Sequence, residues 1–207
     1  TRGIGRAIAE RLLAEGAHVT GPGTQPGGNV PMGCDYRAID FTDDDATTAF
    51  ADELAMNAPD ILVNSAGITK ISPFSEIEVK DFLRIQQVNV TAPLRLCRAV
   101  VPGMRERRWG RIVNVTSVLG KIVKSGRGSY AASKFALDGM TAALSAEAAF
   151  AVASLGLCCL RCCSFRSTHL ACRSLAALSR GSFAVAYYLA FVHHQRLNFG
   201  ELSSATD

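Results

Sequence analysis

Along the first 150 residues, stretches with apolar positions spaced for one helix face alternate with short stretches that are apolar at nearly every position. Ile4, Ala7, Ile8, Leu12 and Leu13 mark one buried helical face, which predicts a helix over Gly5–Glu15 that Gly16 ends. "AHVTG" (Ala17–Gly21) reads as a strand, followed by a Gly/Pro-rich loop through Gly33, and "YRAIDF" (Tyr36–Phe41) as a second strand. Thr42–Met56 reads as a helix whose acidic "TDDD" start suits the positive end of the helix dipole. "DILVNSAG" (Asp60–Gly67) is a nearly all-apolar strand that breaks into a glycine turn, the pattern of a strand buried on both faces. A long helical stretch follows over Glu76–Arg105, interrupted near Pro93. "GRIVNVTSV" (Gly110–Val118) is another buried strand, and Tyr130–Ala149 a long helix.

Strands alternating with helices predict a doubly wound α/β fold: a parallel sheet covered by helices on both faces, in three layers. In such sheets a ligand crevice opens beyond the carboxyl ends of the strands. The glycines Gly3 and Gly5, the "NSAG" turn and the region of Ser117 all fall on that rim.

The pattern changes after Glu147. From Ala148 to Gly200 there is no Asp, Glu, Lys or Pro, so neither the turn chemistry nor the charged faces of further α/β units are visible. The organisation expected is therefore an α/β domain over residues 1–147. Residues 148–207 form a divergent segment that reads as altered text, with no strand-turn-helix programme of its own.

A chain of 207 residues, 48% of them hydrophobic, is long enough for one sizeable core. The formal net charge of +4 is too mild for the basic stripe of a nucleic-acid binder. No apolar run reaches the ~20 residues of a spanning helix, and "TRGIGRAIAERLL" has no secretory pattern, so a cytoplasmic protein is expected. Of seven cysteines, Cys158, Cys159, Cys162, Cys163 and Cys172 crowd together. Without a second ligand group at a defined spacing, they read as a structural accident in preference to a metal site.

Five short motifs carry a resemblance: "TRGIG" (Thr1–Gly5), "NSAG" (Asn64–Gly67), "NVTAP" (Asn89–Pro93), "VNVTSVLG" (Val113–Gly120) and "YAASK" (Tyr130–Lys134). In this order, with Ser117 thirteen residues before Tyr130, the chain from residue 1 to about Glu147 resembles the short-chain dehydrogenase/reductases, with a Rossmann-like fold. Among these it is most similar to the 3-oxoacyl-[acyl-carrier-protein] reductases of fatty-acid synthesis. Sugar, steroid and polyol dehydrogenases share the same catalytic residues.

The resemblance implies a reaction, and the residues fit it. A carbonyl receiving a hydride develops negative charge on oxygen and needs a proton there. A tyrosine hydroxyl ordinarily titrates near pH 10, and an ammonium one helical turn away on the same face favours the phenolate. Tyr130 is thereby implied as the general acid in reduction, Lys134 as the residue that tunes it and bonds the nicotinamide ribose, and Ser117 as the holder of the substrate oxygen. Asn89 is implied to hold a water behind the lysine.

Glycines Gly3 and Gly5, with Arg2 and Ile4, are expected to take a pyrophosphate at a helix amino terminus. Asp40 and Phe41 are expected to contact adenine, and Asn64, Ala66 and Gly67 to line the adenosine side. Read alone, Asp40 is equally a capping acid for the helix near Thr42. No acid stands at the end of "AHVTGPGT" to repel a 2′-phosphate, and Arg2 matches a position that faces one, so NADP(H) is favoured over NAD(H). Arg108, in the basic run Arg105–Arg111, matches a position that docks the acidic carrier protein. Pairing of the long helices into dimers and tetramers is implied by the resemblance, with Phe135, Leu137, Met140 and Leu144 serving either that surface or the domain's own core.

In the family a first strand lies between those read here as "AHVTG" and "DILVNSAG", and the sequence given does not carry it. Two rows of backbone groups are then expected to lack partners, each costing on the order of 1–3 kcal/mol if buried unsatisfied. An alternative reading is therefore a non-catalytic relative or fragment that keeps the nucleotide-binding features.

Overall fold

The computed structural model describes residues 2–148 and the backbone of 151–155. Helix α1 (Gly3–Ala14) starts at Gly3, whose φ of +56° only glycine adopts at no cost, with Arg2 extended before it. It packs on β1 (Val19–Gly23), which pairs in parallel with β2 (Cys34–Ala38) in the register Val19 to Cys34. Helix α2 (Asp44–Asn57) begins two residues later than the sequence pattern predicts. The Asp40 carboxylate takes the Thr42 N–H at 2.9 Å, and Asp43 Oδ1 caps the helix by accepting from Asp45 N at 2.9 Å and Ala46 N at 3.1 Å.

Strand β3 (Ile61–Asn64) pairs in parallel with β4 (Arg111–Val115), and β4 with β5 (Ala151–Leu155), Arg111 lying opposite both Ile61 and Ala151. Strand β5 lies beyond Glu147, in the segment whose sequence shows no strand-turn-helix programme. "AVASL" sits in an apolar neighbourhood whose one punctuating residue, Gly156, follows it directly in the sequence, and it is the pairing with β4 that distinguishes it from helix or loop. The parallel sheet is in two pieces, β1–β2 and β3–β4–β5. Among the described residues β1 and β3 are not paired with each other, as expected for strands that are not neighbours.

Between β3 and β4 run α3 (Val79–Gln86), a π-helical turn over Gln87–Thr91 and α4 (Ala92–Glu106). The predicted interruption near Pro93 is thus one turn upstream of it. Proline offers no N–H to the carbonyl four residues back, which is that of Asn89, and its ring crowds that carbonyl, so the helix widens there. Helix α5 (Gly128–Glu147) packs on β4, β5 and α3.

The core gathers Phe41, Phe50, Leu62, Leu96, Val100, Met104 and Ile112 between α2, α4 and the strands. Leu137 is buried and Leu144 packs against this core, so both serve the domain itself, while Phe135 stands 45% exposed.

Ala58, which ends α2, has φ +43°, a left-handed conformation that costs an L-residue on the order of 1 kcal/mol. Ala58→Gly is expected to stabilise the fold by about 0.5–1 kcal/mol once the greater freedom of the unfolded glycine is subtracted. The urea midpoint should rise, and a fall would show that the Ala58 methyl against Gly103 matters more than the backbone.

Candidate active site

Four elements converge at the carboxyl ends of β3 and β4. Helix α5 presents Tyr130 and, one turn on, Lys134, whose Nζ lies 5.6 Å from the centroid of the Tyr130 ring. Lys134 is only 3% exposed and donates to the Val115 carbonyl at 2.9 Å, at the end of β4. Burial pushes its ammonium down from the ordinary 10.5 to about 8, with Asp138 pulling the other way.

Asn89, fully buried in the π turn, braces the site. Its Nδ2 donates to Ser133 Oγ at 2.9 Å and to the Ile68 carbonyl at 3.0 Å, while its Oδ1 accepts the Ile68 N–H at 2.9 Å. Ser133 Oγ in turn donates to the Tyr130 carbonyl at 2.7 Å. A continuous chain of hydrogen bonds therefore ties the turn after β3, through the π turn, to the backbone that carries Tyr130. Gly67 lies beside it: a Cβ there would fall 3.5 Å from Asn89 Oδ1 and 3.7 Å from Lys134 Nζ.

Ser117 follows β4 and caps the short turn Val118–Gly120, its Oγ accepting from Leu119 N at 3.2 Å. That acceptance leaves the hydroxyl hydrogen available to donate. The turn lies close on α5, since a Cβ at Gly120 would fall 3.0 Å from the Lys134 carbonyl oxygen. Ser117 is thus held on a turn that is docked against the helix of Tyr130 and Lys134.

The remaining candidates divide into those that face the rim and those that do not. The start of α1 has no side-chain cap and no acid in its first turn, so its N–H groups suit an anion. Gly5 lies against the turn after β3, with a built Cβ only 3.3 Å from Ser65 Oγ. Arg2 and Ile4 are exposed beside it, as are Ala66 and Gly67. This uncapped helix start, with its left-handed Gly3 and the glycine turn alongside, fits a dinucleotide's pyrophosphate and adenosine.

Two predicted cofactor contacts turn inward. Asn64 is buried and donates to Asn114 Oδ1 at 2.8 Å and to Cys97 Sγ at 3.5 Å. Phe41 packs its ring 6.4 Å from that of Phe50 in the core. Asp40 stays exposed, its carboxyl held below the usual range by the Thr42 backbone and hydroxyl. Arg108 is exposed just past α4, with φ +54°.

Sequence reasoning missed Ser133 and Asn114. Asn114 sits fully buried on β4, accepts from Asn64 and donates to Thr141 Oγ1 of α5 at 2.8 Å, a polar seam linking β3, β4 and α5. The available signal was a pair of asparagines, each closing an apolar stretch at equivalent places in two strands, "ILVN" and "RIVN".

Among the described residues no group of three or more His, Cys, Asp or Glu side chains could hold a metal ion, and the cysteines of 158–172 lie outside them. No helix among the described residues is long and apolar enough to cross a membrane.

The family model for short chain dehydrogenases matches residues 1–159, and the chain belongs to that family. It is 35% identical over 158 residues to the 3-oxoacyl-[acyl-carrier-protein] reductase FabG of Vibrio cholerae, covering 72% of this chain and 64% of the relative. It is 37% identical to the Vibrio harveyi reductase of the same name, again over 72% and 64%. The chain thus spans less than two thirds of the length of these relatives. Among solved structures it is similar to a 4-hydroxyisoleucine dehydrogenase complexed with NADH, with 32% identity, a TM-score of 0.67, and 73% of this chain and 69% of that one covered. A metagenomic short-chain oxidoreductase in complex with NADP matches with 30% identity and a TM-score of 0.65, over 74% and 76%.

Proposed function

We propose that the chain carries the catalytic set of an NADP(H)-dependent reductase that interconverts a ketone and a secondary alcohol, with 3-oxoacyl thioesters on a carrier protein as its substrates. The observation that carries the reading is the braced pair: Lys134 beside the Tyr130 ring, with Asn89 and Ser133 fixing the backbone beneath Tyr130. When bound, a nicotinamide dinucleotide supplies or accepts the hydride at the substrate carbon. Tyr130 gives its hydroxyl proton to the substrate oxygen in reduction and takes it back in oxidation. Ser117, its Oγ accepting from Leu119 N, donates its hydroxyl hydrogen to the same oxygen and holds it. Lys134 places positive charge beside the phenol and opposes the loss of its negative form. Ser117 and Tyr130 touch substrate; Asn89 and Ser133 position the backbone of Tyr130.

The carrier-bound acyl substrate rests on the FabG relatives, and NADP(H) on the exposed Arg2 beside the uncapped helix start together with the absence of an acid in Thr20–Thr24. Exposed Arg108 is the carrier contact in this reading, and exposed Leu94 and Phe135 belong to a surface between copies of the chain in a tetramer. The divided sheet favours a second reading, a relative that keeps the nucleotide site without turnover. One assay separates them. Purified chain should oxidise NADPH when given a 3-oxoacyl thioester, about tenfold faster than with NADH and faster than with a keto-sugar acid. Cofactor binding without any ketone-dependent oxidation would establish the second reading.

A further inference from the structure

Tyr130, Lys134 and Asp138 stand four residues apart along α5, one stripe of the helix. The first two belong to the proposed chemistry, but Asp138 has no part in it and is nonetheless buried, at 8% exposure. Aspartate is rarely buried unless its charge is compensated. Here it faces two cations. Lys134 lies one turn back on the same helix, and Lys121, at the end of the Ser117 turn, places its Nζ 3.6 Å from Asp138 Oδ2. Gly120 makes room for this meeting, because a Cβ there would fall 2.5 Å from the same oxygen.

Among the described residues, the other elements that pack on this part of α5 present neutral groups to it. Strand β4 faces it with neutral Asn114, which bonds Thr141, and the β5 sequence "AVASL" has no titratable side chain. From α3, Gln86 reaches only the Ser129 carbonyl at the far end of α5, at 3.3 Å.

We propose that Asp138 is a positioning residue: its buried carboxylate keeps Lys134 charged beside Tyr130 and, through Lys121, pins the Ser117 turn to the same helix. One side chain then sets both the charge beside Tyr130 and the spacing of the two groups that meet the substrate oxygen, Tyr130 and Ser117. The inference rests on the proposed reaction for its consequence, but not for its physics, because the Lys134 titration exists whether or not the chain turns over. Without Asp138, burial acts on Lys134 unopposed and its titration moves to lower pH.

The test is the Lys134 side-chain titration, followed by NMR in the full chain with isotopically labelled lysine and assigned by its loss in Lys134→Met. Asp138→Asn keeps the volume and removes the charge, and the Lys134 midpoint should move to lower pH. Lys121→Met, at an exposed site, removes a like charge and the screen over Asp138, and the midpoint should move to higher pH. In turnover, Asp138→Asn should lose about tenfold at about pH 9 and much less at about pH 6.5, where Lys134 is protonated in both proteins. A Lys134 midpoint unmoved in either folded variant overturns the proposal. Shifted midpoints in a chain that reduces no ketone would uphold it and instead refute the reaction.

Discussion

Tyr130→Phe should reduce ketone-dependent NADPH oxidation by about 10³-fold, in the middle of the range that one positioned proton donor contributes. The ring survives the change, and so does the face beside which Lys134 lies at 5.6 Å, so the fold and the nucleotide site should persist. The bonds that hold this part of α5 run through the Tyr130 carbonyl, Ser133 and Asn89, none of which the substitution touches. NADPH binding, followed by its fluorescence, should therefore change less than about twofold while kcat collapses. A variant that kept more than a tenth of wild-type kcat would remove Tyr130 from the chemistry and with it the proposed reaction.

Lys134→Met should separate activity from stability, with opposite signs. In the wild-type fold the ammonium is buried and its pKa falls from 10.5 to about 8, which corresponds to about 3 kcal/mol. Below about pH 8 the lysine is protonated in both folded and unfolded chains, and the full cost of the buried charge is present. Between about pH 8 and 10.5 the unfolded chain binds more protons than the folded one, so wild-type stability rises with pH through that window. Methionine has nearly the same volume and no charge. It forfeits the bond to the Val115 carbonyl, worth about 1 kcal/mol, and escapes the burial cost.

Urea unfolding at pH 7 should consequently find the variant more stable by on the order of 2 kcal/mol, with the margin shrinking above about pH 8 as the wild type sheds its proton. Activity should be lost, because no cation remains beside Tyr130. A variant less stable than wild type at pH 7, or a difference that ignores pH, would mean that Lys134 is not held in the fold as a costly charge. Functional sites commonly carry such a conflict between the needs of chemistry and of folding.

How much of this was legible beforehand depended on whether the information was local. The helix of Tyr130 and Lys134 could be read because four residues of α-helix place two side chains on one face wherever the helix sits. The all-apolar strands could be read because a strand buried on both faces leaves that mark in its own text. The five motifs in order defined the family, and the interruption before Pro93 followed from the missing N–H of one residue.

What stayed hidden joins residues far apart. Asn64 meets Asn114 fifty positions away, and Asn89 meets Ser133 forty-four away. Nothing local says that Asn64 turns inward while Gly67 remains on the rim, or that Leu137 is core and Phe135 surface two residues earlier. Strand β5 is recognisable only by the partner it lies against. Backbone preference and side-chain period are properties of a few consecutive residues, so the chain alone determined its elements up to α5 and the spacing of its acid and its cation. Burial, charge compensation and the direction of each polar side chain are properties of neighbours in space, so only the tertiary structure decided which of the predicted residues face a ligand and which hold the site together.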